Sequence, residues 1–240
     1  MLLEIVQGGE LFDLLARQET GTVPLGDAWF YSACVISAFE HMQSKKVVYR
    51  DLKPENLMLD RDGYIKVVDF GFAKVLNGRT HTLCGTPEYF SPELVKGKGY
   101  GLPTDVWGIG ILLYEMLAGY TPYADMQNGD PTTICKNIVR ARLKINSSEI
   151  SDPTVTDLLK KILIKDPLKR LGCGAKGMKE IMDHAWFKTL NWEKLERKKY
   201  DAPWKPPLKS ADDVVDPSED YAETVSIEPY TKDSSWCAEF

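Results

Sequence analysis

The octapeptide YRDLKPEN, residues 49–56, places Arg50, Asp51, Lys53, Glu55 and Asn56 in one short loop. A carboxylate such as Asp51 can accept a proton from an attacking hydroxyl. Lys53, two residues on, can steady the negative charge of a transferring phosphoryl group. Asp69, in the triplet DFG, follows Asn56 by thirteen residues. An amide oxygen and a carboxylate are hard ligands of the kind Mg²⁺ prefers, with water and phosphate oxygens completing its shell. Base, cation and metal ligands together are what phosphoryl transfer requires, because its catalysis is mostly positioning and charge neutralisation. A polar turn between strands is the plainer reading of the octapeptide, but it leaves the placement of Asp69 unexplained.

The elements around the loop can bring these groups together. The stretch LMLDRDGYIKVVDFG reads as a hairpin: Leu57-Met58-Leu59 and residues 64–68 are apolar runs, and Asp60-Arg61-Asp62-Gly63 between them is turn chemistry. Asn56 precedes the first strand and Asp69 follows the second, so both fall at the open end of one hairpin. Val47-Val48 forms a short strand leading into the loop. Over 26–45, Trp29, Ala33, Ile36, Phe39 and Met42 recur at helical spacing. Residues 104–119 are apolar all round, which predicts a buried helix that Thr104 can cap. Asp105 and Glu115 inside it need partners, since unpaired buried charge is costly. Further helices are expected near 132–142, 154–165 and 177–186. The opening MLLEIVQGGELF reads as a strand end running into a turn. Residues 70–102 are glycine-rich without periodicity and form a long structured loop. After residue 188, Pro203, Pro206 and Pro207 lead into an acidic run from Asp212 to Glu223, an extended tail and not a second core. The expected fold is mainly α with a small β-hairpin.

Composition narrows the function. Of the 240 residues 43% are hydrophobic and 27% charged, enough for one substantial core. A net charge of −5 argues against a nucleic-acid partner and fits a cationic one. Five scattered cysteines without metal-ligand spacing read as reduced thiols, hence an intracellular, cytoplasmic location. No signal peptide and no membrane span is expected.

The loop and DFG together resemble the catalytic loop and metal-binding triplet of eukaryotic protein kinases. Tyr49 stands where the general signature has histidine, a variation usual in the AGC group of serine/threonine kinases. Ser91-Pro92-Glu93 stands where the family has Ala-Pro-Glu, with GTPEY before it. RTHTLCGTPEYFSPE is similar to the activation loop of the cyclic-nucleotide-dependent branch. The resemblance implies ATP and Mg²⁺ as cofactors, Asp51 and Lys53 as catalytic residues, and Asn56 and Asp69 as metal ligands. It places phosphorylation at Thr82, where about −1.5 to −2 charges would pair with Arg50, which has no obvious local partner, and with Lys74. Asp105 takes the position of the acid that holds the catalytic-loop backbone, and Glu93 with Arg170 that of a buried ion pair.

Glu10, Glu55 and Glu115 match acids that receive arginines before the target serine or threonine, so basic protein substrates are implied. Leu83, Pro87 and Phe90 match an apolar pocket for the residue after the target. Glu4 and Val6 resemble the hinge that binds adenine, Met58 the residue packed beneath the ring, and Tyr221 a contact near ribose. Glu10, Lys53 and Glu55 also face the nucleotide side in this match. A cyclic-nucleotide-binding regulatory subunit or domain is a possible partner within such a family. The activation loop and TVSIEP favour the cAMP-dependent type, whereas the spacing of Trp236 and Phe240 leans to the cGMP-dependent type.

The match begins at the hinge. It makes residues 1–187 the large lobe of a kinase domain and 188–240 an AGC-type C-terminal tail. The sequence holds no Gly-rich phosphate loop and no strand lysine with its helix glutamate. The expectation is therefore a kinase whose small lobe is missing from these residues, and 240 residues with little activity by themselves. The alternative is a non-catalytic short form that holds pseudosubstrate peptides or regulatory subunits.

Overall fold

The computed structural model describes residues 3–208, 210 and 213–215. Its framework is two long helices, α2 (Leu25–Ser44) and α4 (Pro103–Ala118), packed on each other. Helix α2 buries Phe30, Tyr31, Ile36, Phe39 and Met42. Helix α4 is buried almost along its length and ends at Gly119 in the left-handed region, at φ 80°. Proline at the first helical position starts it, and Thr104 does not cap it. The Thr104 hydroxyl instead meets Ser91 Oγ at 3.0 Å, which ties α4 to the segment before it.

Between these helices in the chain lie two small antiparallel pairs. Strand β1 (Val47–Val48) pairs with β4 (Lys74–Val75), and β2 (Leu57–Leu59) pairs with β3 (Ile65–Val67). The β2–β3 register puts Leu57 opposite Val67 and Leu59 opposite Ile65. The turn is held by Asp60, whose carboxylate accepts from the backbone of Asp62 (2.8 Å) and Tyr64 (3.0 Å).

The opening residues 3–9 form no strand of their own, yet they lie against one. Gly8 N–H donates to the Leu59 carbonyl (2.8 Å), and Leu59 N–H donates to that of Gly9 (2.9 Å). A Cβ on Gly8 would stand 2.6 Å from the Leu59 carbonyl oxygen, so only glycine allows this approach. Helix α1 (Leu11–Ala16) follows, a short element that periodicity did not predict.

Helices α5 (Pro131–Arg140) and α6 (Pro153–Ile162) each begin with an aspartate cap, Asp130 and Asp152, followed by proline. The expected helix over 177–186 is two shorter pieces, α7 (Lys179–Met182) and a 3₁₀ turn over Ala185–Phe187. A short α3 (Pro92–Val95) precedes α4.

Residues 188–199 are not yet extended. Helix α8 (Trp192–Glu196) buries Leu195 and packs against α2. The chain then runs out along the β2–β3 turn. Lys198 pairs with buried Asp60 and with Asp62 (3.2 Å), and the Tyr64 hydroxyl donates to the Tyr200 carbonyl at 2.9 Å. Further on, Val215 N–H donates to the Gln7 carbonyl at 2.8 Å. No helix among the described residues is long and apolar enough to cross a membrane.

Candidate active site

The 49–56 loop is fixed from below by α4. Buried Asp105 accepts the backbone N–H of Tyr49 at 2.8 Å and of Arg50 at 2.9 Å. These bonds hold Arg50 at φ 76°, a conformation few side chains adopt unsupported. Burial pushes the Asp105 pKa up to about 7, against the pull of those two N–H groups. Tyr49 is buried, stands edge-on to Phe39 and Phe70, and donates its hydroxyl to the Val68 carbonyl at 2.5 Å. Tyrosine at this position thus bolts the loop to the end of β3.

Asp51 and Asn56 are buried, at 6% and 7% exposure, and joined. The Asn56 amide donates to the Asp51 carbonyl (2.8 Å) and to Asp51 Oδ2 (2.9 Å). Lys53 Nζ stands 3.9 Å from the same Oδ2. The other carboxylate oxygen of Asp51 accepts from the Thr86 hydroxyl at 3.5 Å. The Asn56 carbonyl takes the Val68 N–H at 3.0 Å, so Asp69 emerges one residue on from this bond. Asp69 is exposed and adopts φ 51°, with Oδ1 accepting the Gly71 N–H at 3.0 Å.

Because Asn56 spends its amide nitrogen on Asp51, its side-chain oxygen is left for another donor or a cation. An amide oxygen and an exposed carboxylate are hard donors that suit Mg²⁺, and Asn56 and Asp69 are the residues that would hold it. Bound there, the ion would neutralise phosphate charge.

Thr86 and Gly85 were not recognised from sequence. Gly85 sits at φ 96°, and a Cβ there would lie 2.5 Å from the Arg50 carbonyl oxygen. Glycine lets the 70–102 segment pass over the loop and deliver Thr86 to Asp51. Only the GTPEY string hinted at this, and nothing local in it names Asp51 as the partner.

The remaining expected residues fall into distinct places. Arg50 forms no ion pair among the described residues, but it is not without partners. Its Nε donates to the Phe72 carbonyl at 2.6 Å and a terminal nitrogen to the Tyr100 hydroxyl at 3.4 Å. Thr82 is exposed, and the Tyr100 hydroxyl donates to its carbonyl. Lys74 is exposed in β4, opposite Val48. Glu93 and Arg170 form a two-pronged pair at 2.7 and 2.9 Å, and Arg170 is fully buried over the Trp107 ring.

Glu10 bridges to Met58, which places the opening residues beside β2. Glu4 is exposed and pairs with Lys66, and Val6 is half-buried. The charge of Glu55 acts on both Glu10 and Glu115. Burial, then Asp13 and Glu55, raise the Glu10 pKa. Glu115 is raised to about 7, first by burial and further by Glu88 and Glu55, while the Tyr89 hydroxyl donated to it pulls the other way. Glu88, unrecognised in the sequence, accepts the Thr121 hydroxyl at 2.9 Å beside this group. Leu83 is exposed, Pro87 opens a 3₁₀ turn and Phe90 is buried in the core. Tyr221 lies outside the described residues, as do the acidic run beyond residue 215 and the final aromatic pair.

The loop and hairpin thus hold a buried carboxylate, a lysine 3.9 Å from it and an amide joined to it. The protein kinase domain family model matches residues 1–187, and the chain belongs to that family. The chain is 44% identical over 209 residues to a cAMP-dependent protein kinase catalytic subunit of Arthrobotrys oligospora, covering 87% of this chain and 39% of that protein. It is 45% identical over 214 residues to the cAMP-dependent protein kinase catalytic subunit PRKX of Homo sapiens, covering 89% and 58%. Similarity extends to a cGMP-dependent protein kinase of Plasmodium berghei, 37% identical over 226 residues, covering 94% and 25%. The chain thus spans between a quarter and three fifths of the length of these relatives.

Proposed function

We propose that these residues are the large lobe and tail of an AGC-group, cyclic-nucleotide-dependent serine/threonine kinase. Residues 1–187 supply the lobe and 188–240 the tail. The reaction is phosphoryl transfer from ATP to serine or threonine in arginine-containing proteins, with Mg²⁺. The observation that carries this reading is the Asp51 carboxylate, oriented on one oxygen by Asn56 (2.9 Å) and on the other by Thr86 (3.5 Å), with Lys53 at 3.9 Å.

In this reading Asp51 receives the proton of the attacking hydroxyl. Its low exposure keeps water from competing, and Asn56 and Thr86 fix the lone pair that accepts. Lys53 offers positive charge at the transferred group. Glu10, Glu55 and Glu115 receive arginines of the substrate, and a cyclic-nucleotide-binding regulatory subunit or domain is the partner. An intracellular setting suits both. The electrostatic effect of Glu55 on both Glu10 and Glu115 also favours a second reading, a short form that holds basic peptides without turnover.

The test uses radiolabelled ATP and an arginine-rich peptide. The 240 residues by themselves are expected to give little or no turnover, because no Gly-rich loop or strand lysine is among them. Supplying the small lobe of a related kinase in the same chain should restore turnover, and Asp51→Asn should then remove it. Peptide binding without turnover in that chimera would favour the second reading. Turnover unaffected by Asp51→Asn would overturn both.

A further inference from the structure

Apart from the catalytic loop, a cavity of about 930 Å³ opens where residues 76–79, 96–103 and 165–168 meet. Its wall carries Lys46, Arg79, Lys96, Lys98 and Lys165. Of the acids on it, Glu93 is neutralised by Arg170 and Asp166 offsets one of the five charges, which leaves the wall cationic. Glu93 is taken by Arg170 at 2.7 and 2.9 Å, and Asp166 Oδ1 accepts the Leu168 N–H at 3.0 Å. Among the described residues none of the five cations enters an ion pair. Lys165 is half-buried and spends protons on the carbonyls of Val139 (2.9 Å) and Ala141. Its pKa is lowered by burial and then by the charge of Lys96, so these cations repel one another across the pocket.

The chain as a whole carries −5. A concave positive site on a negative protein concentrates field and selects an anionic ligand. Its floor is apolar, with Leu102, Pro103 and Pro167, and Leu168 stands 87% exposed at its edge. A bare polyanion would leave that floor uncovered, and the overall charge opposes nucleic acid. The volume suits a few residues of extended chain.

We propose that this cavity is a docking site for an acidic linear peptide of a partner protein. Its carboxylates pair with Lys96, Lys98 and Lys165, and one apolar side chain covers Leu168. Occupancy reaches the 70–102 segment through Tyr100, which lines the cavity. Tyr100 exchanges backbone hydrogen bonds with Thr80 at 2.9 and 3.0 Å, and its hydroxyl holds the Thr82 carbonyl. The site requires no nucleotide and stands or falls separately from the kinase reading.

The experiment is fluorescence anisotropy with the 240-residue chain and a labelled peptide of alternating glutamate and leucine. A peptide with glutamine for each glutamate is the control. Saturable binding that weakens with added salt is expected for the acidic peptide alone. Lys96→Glu with Lys98→Glu should weaken it by about tenfold or more, while Lys169→Glu, outside the cavity, should change it by less than about twofold. Leu168→Asp should weaken it comparably to the double variant. All four side chains are exposed, and thermal melts would verify that each variant folds. Absence of saturable binding, equal binding of the glutamine peptide, or equal loss in the Lys169→Glu variant would overturn the proposal. So would displacement of the peptide by a DNA oligonucleotide at lower concentration than by unlabelled peptide, which would make the site one for nucleic acid.

Discussion

Asn56 donates its amide to both the backbone carbonyl and the carboxylate of Asp51, at 2.8 and 2.9 Å. One side chain thus sets the direction of the Asp51 carboxylate and leaves its own oxygen uncommitted to it. Asn56→Asp would set two carboxylates against each other in a buried place. The variant should lose about 1–3 kcal/mol of stability in metal-free buffer. Added Mg²⁺ should raise its melting temperature more than that of the parent, because a second carboxylate binds the ion more strongly. Equal shifts for both would show that Asn56 does not face the ion.

The Glu93–Arg170 pair predicts a sharper loss. Arg170 is 1% exposed, so removing its partner strands a guanidinium in the core. Glu93→Gln should cost about 3–5 kcal/mol, read as a shift in the urea midpoint with an unchanged slope. A change below about 1 kcal/mol would mean that the Pro103 and Ile164 carbonyls, which Arg170 also meets at its nitrogens, suffice to hold it.

Glu115 predicts a pH dependence. Its folded-state pKa of about 7 exceeds the unfolded value of 4.5. Between these values the folded chain binds the extra proton, so this group's contribution to stability falls as pH rises through about 7. Arginine binding has the opposite sign, since it needs the anion. Affinity for an arginine-rich peptide should rise from about pH 6 to about pH 8, with proton release on binding at the lower end. Calorimetry in two buffers of different ionisation heat would measure this. A flat profile would remove Glu115 from the recognition set.

Gly85→Ala should disturb Asp51, because the added Cβ would lie 3.5 Å from Asp51 Oδ1. The added methyl would press on the Arg50 carbonyl at 2.5 Å in a backbone region that disfavours alanine. A loss of about 1–3 kcal/mol is expected. Amide exchange at Thr86 should speed up while that in α2 stays unchanged. Uniform acceleration throughout would point to global destabilisation.

How far the sequence led depended on the range of the interaction. Helix α4 declared itself because it is apolar on every side, and the hairpin because its turn and both strands are contiguous. The place of Asn56 before β2 and of Asp69 after β3 followed from that contiguity alone. Helix α1 escaped because six residues cannot display a period. Thr104 was misassigned because a threonine near a helix start usually caps it, whereas here the preceding prolyl turn starts the helix and the hydroxyl turns to Ser91. Thr86 reaches Asp51 from thirty-five positions away, and the basic cavity gathers cations from four separate stretches. No local pattern encodes either.

The fastening of Lys198 and Tyr200 to the β2–β3 turn bears on how the protein should be produced. The match to the kinase family stops at residue 187, yet Asp60 finds its cation, and Tyr64 its acceptor, beyond that point. A recombinant form ended at the family boundary would uncover a buried aspartate on the hairpin that carries Asn56 and Asp69 at its other end. Expression boundaries should therefore be drawn past Trp204, whose carbonyl closes over Gly63.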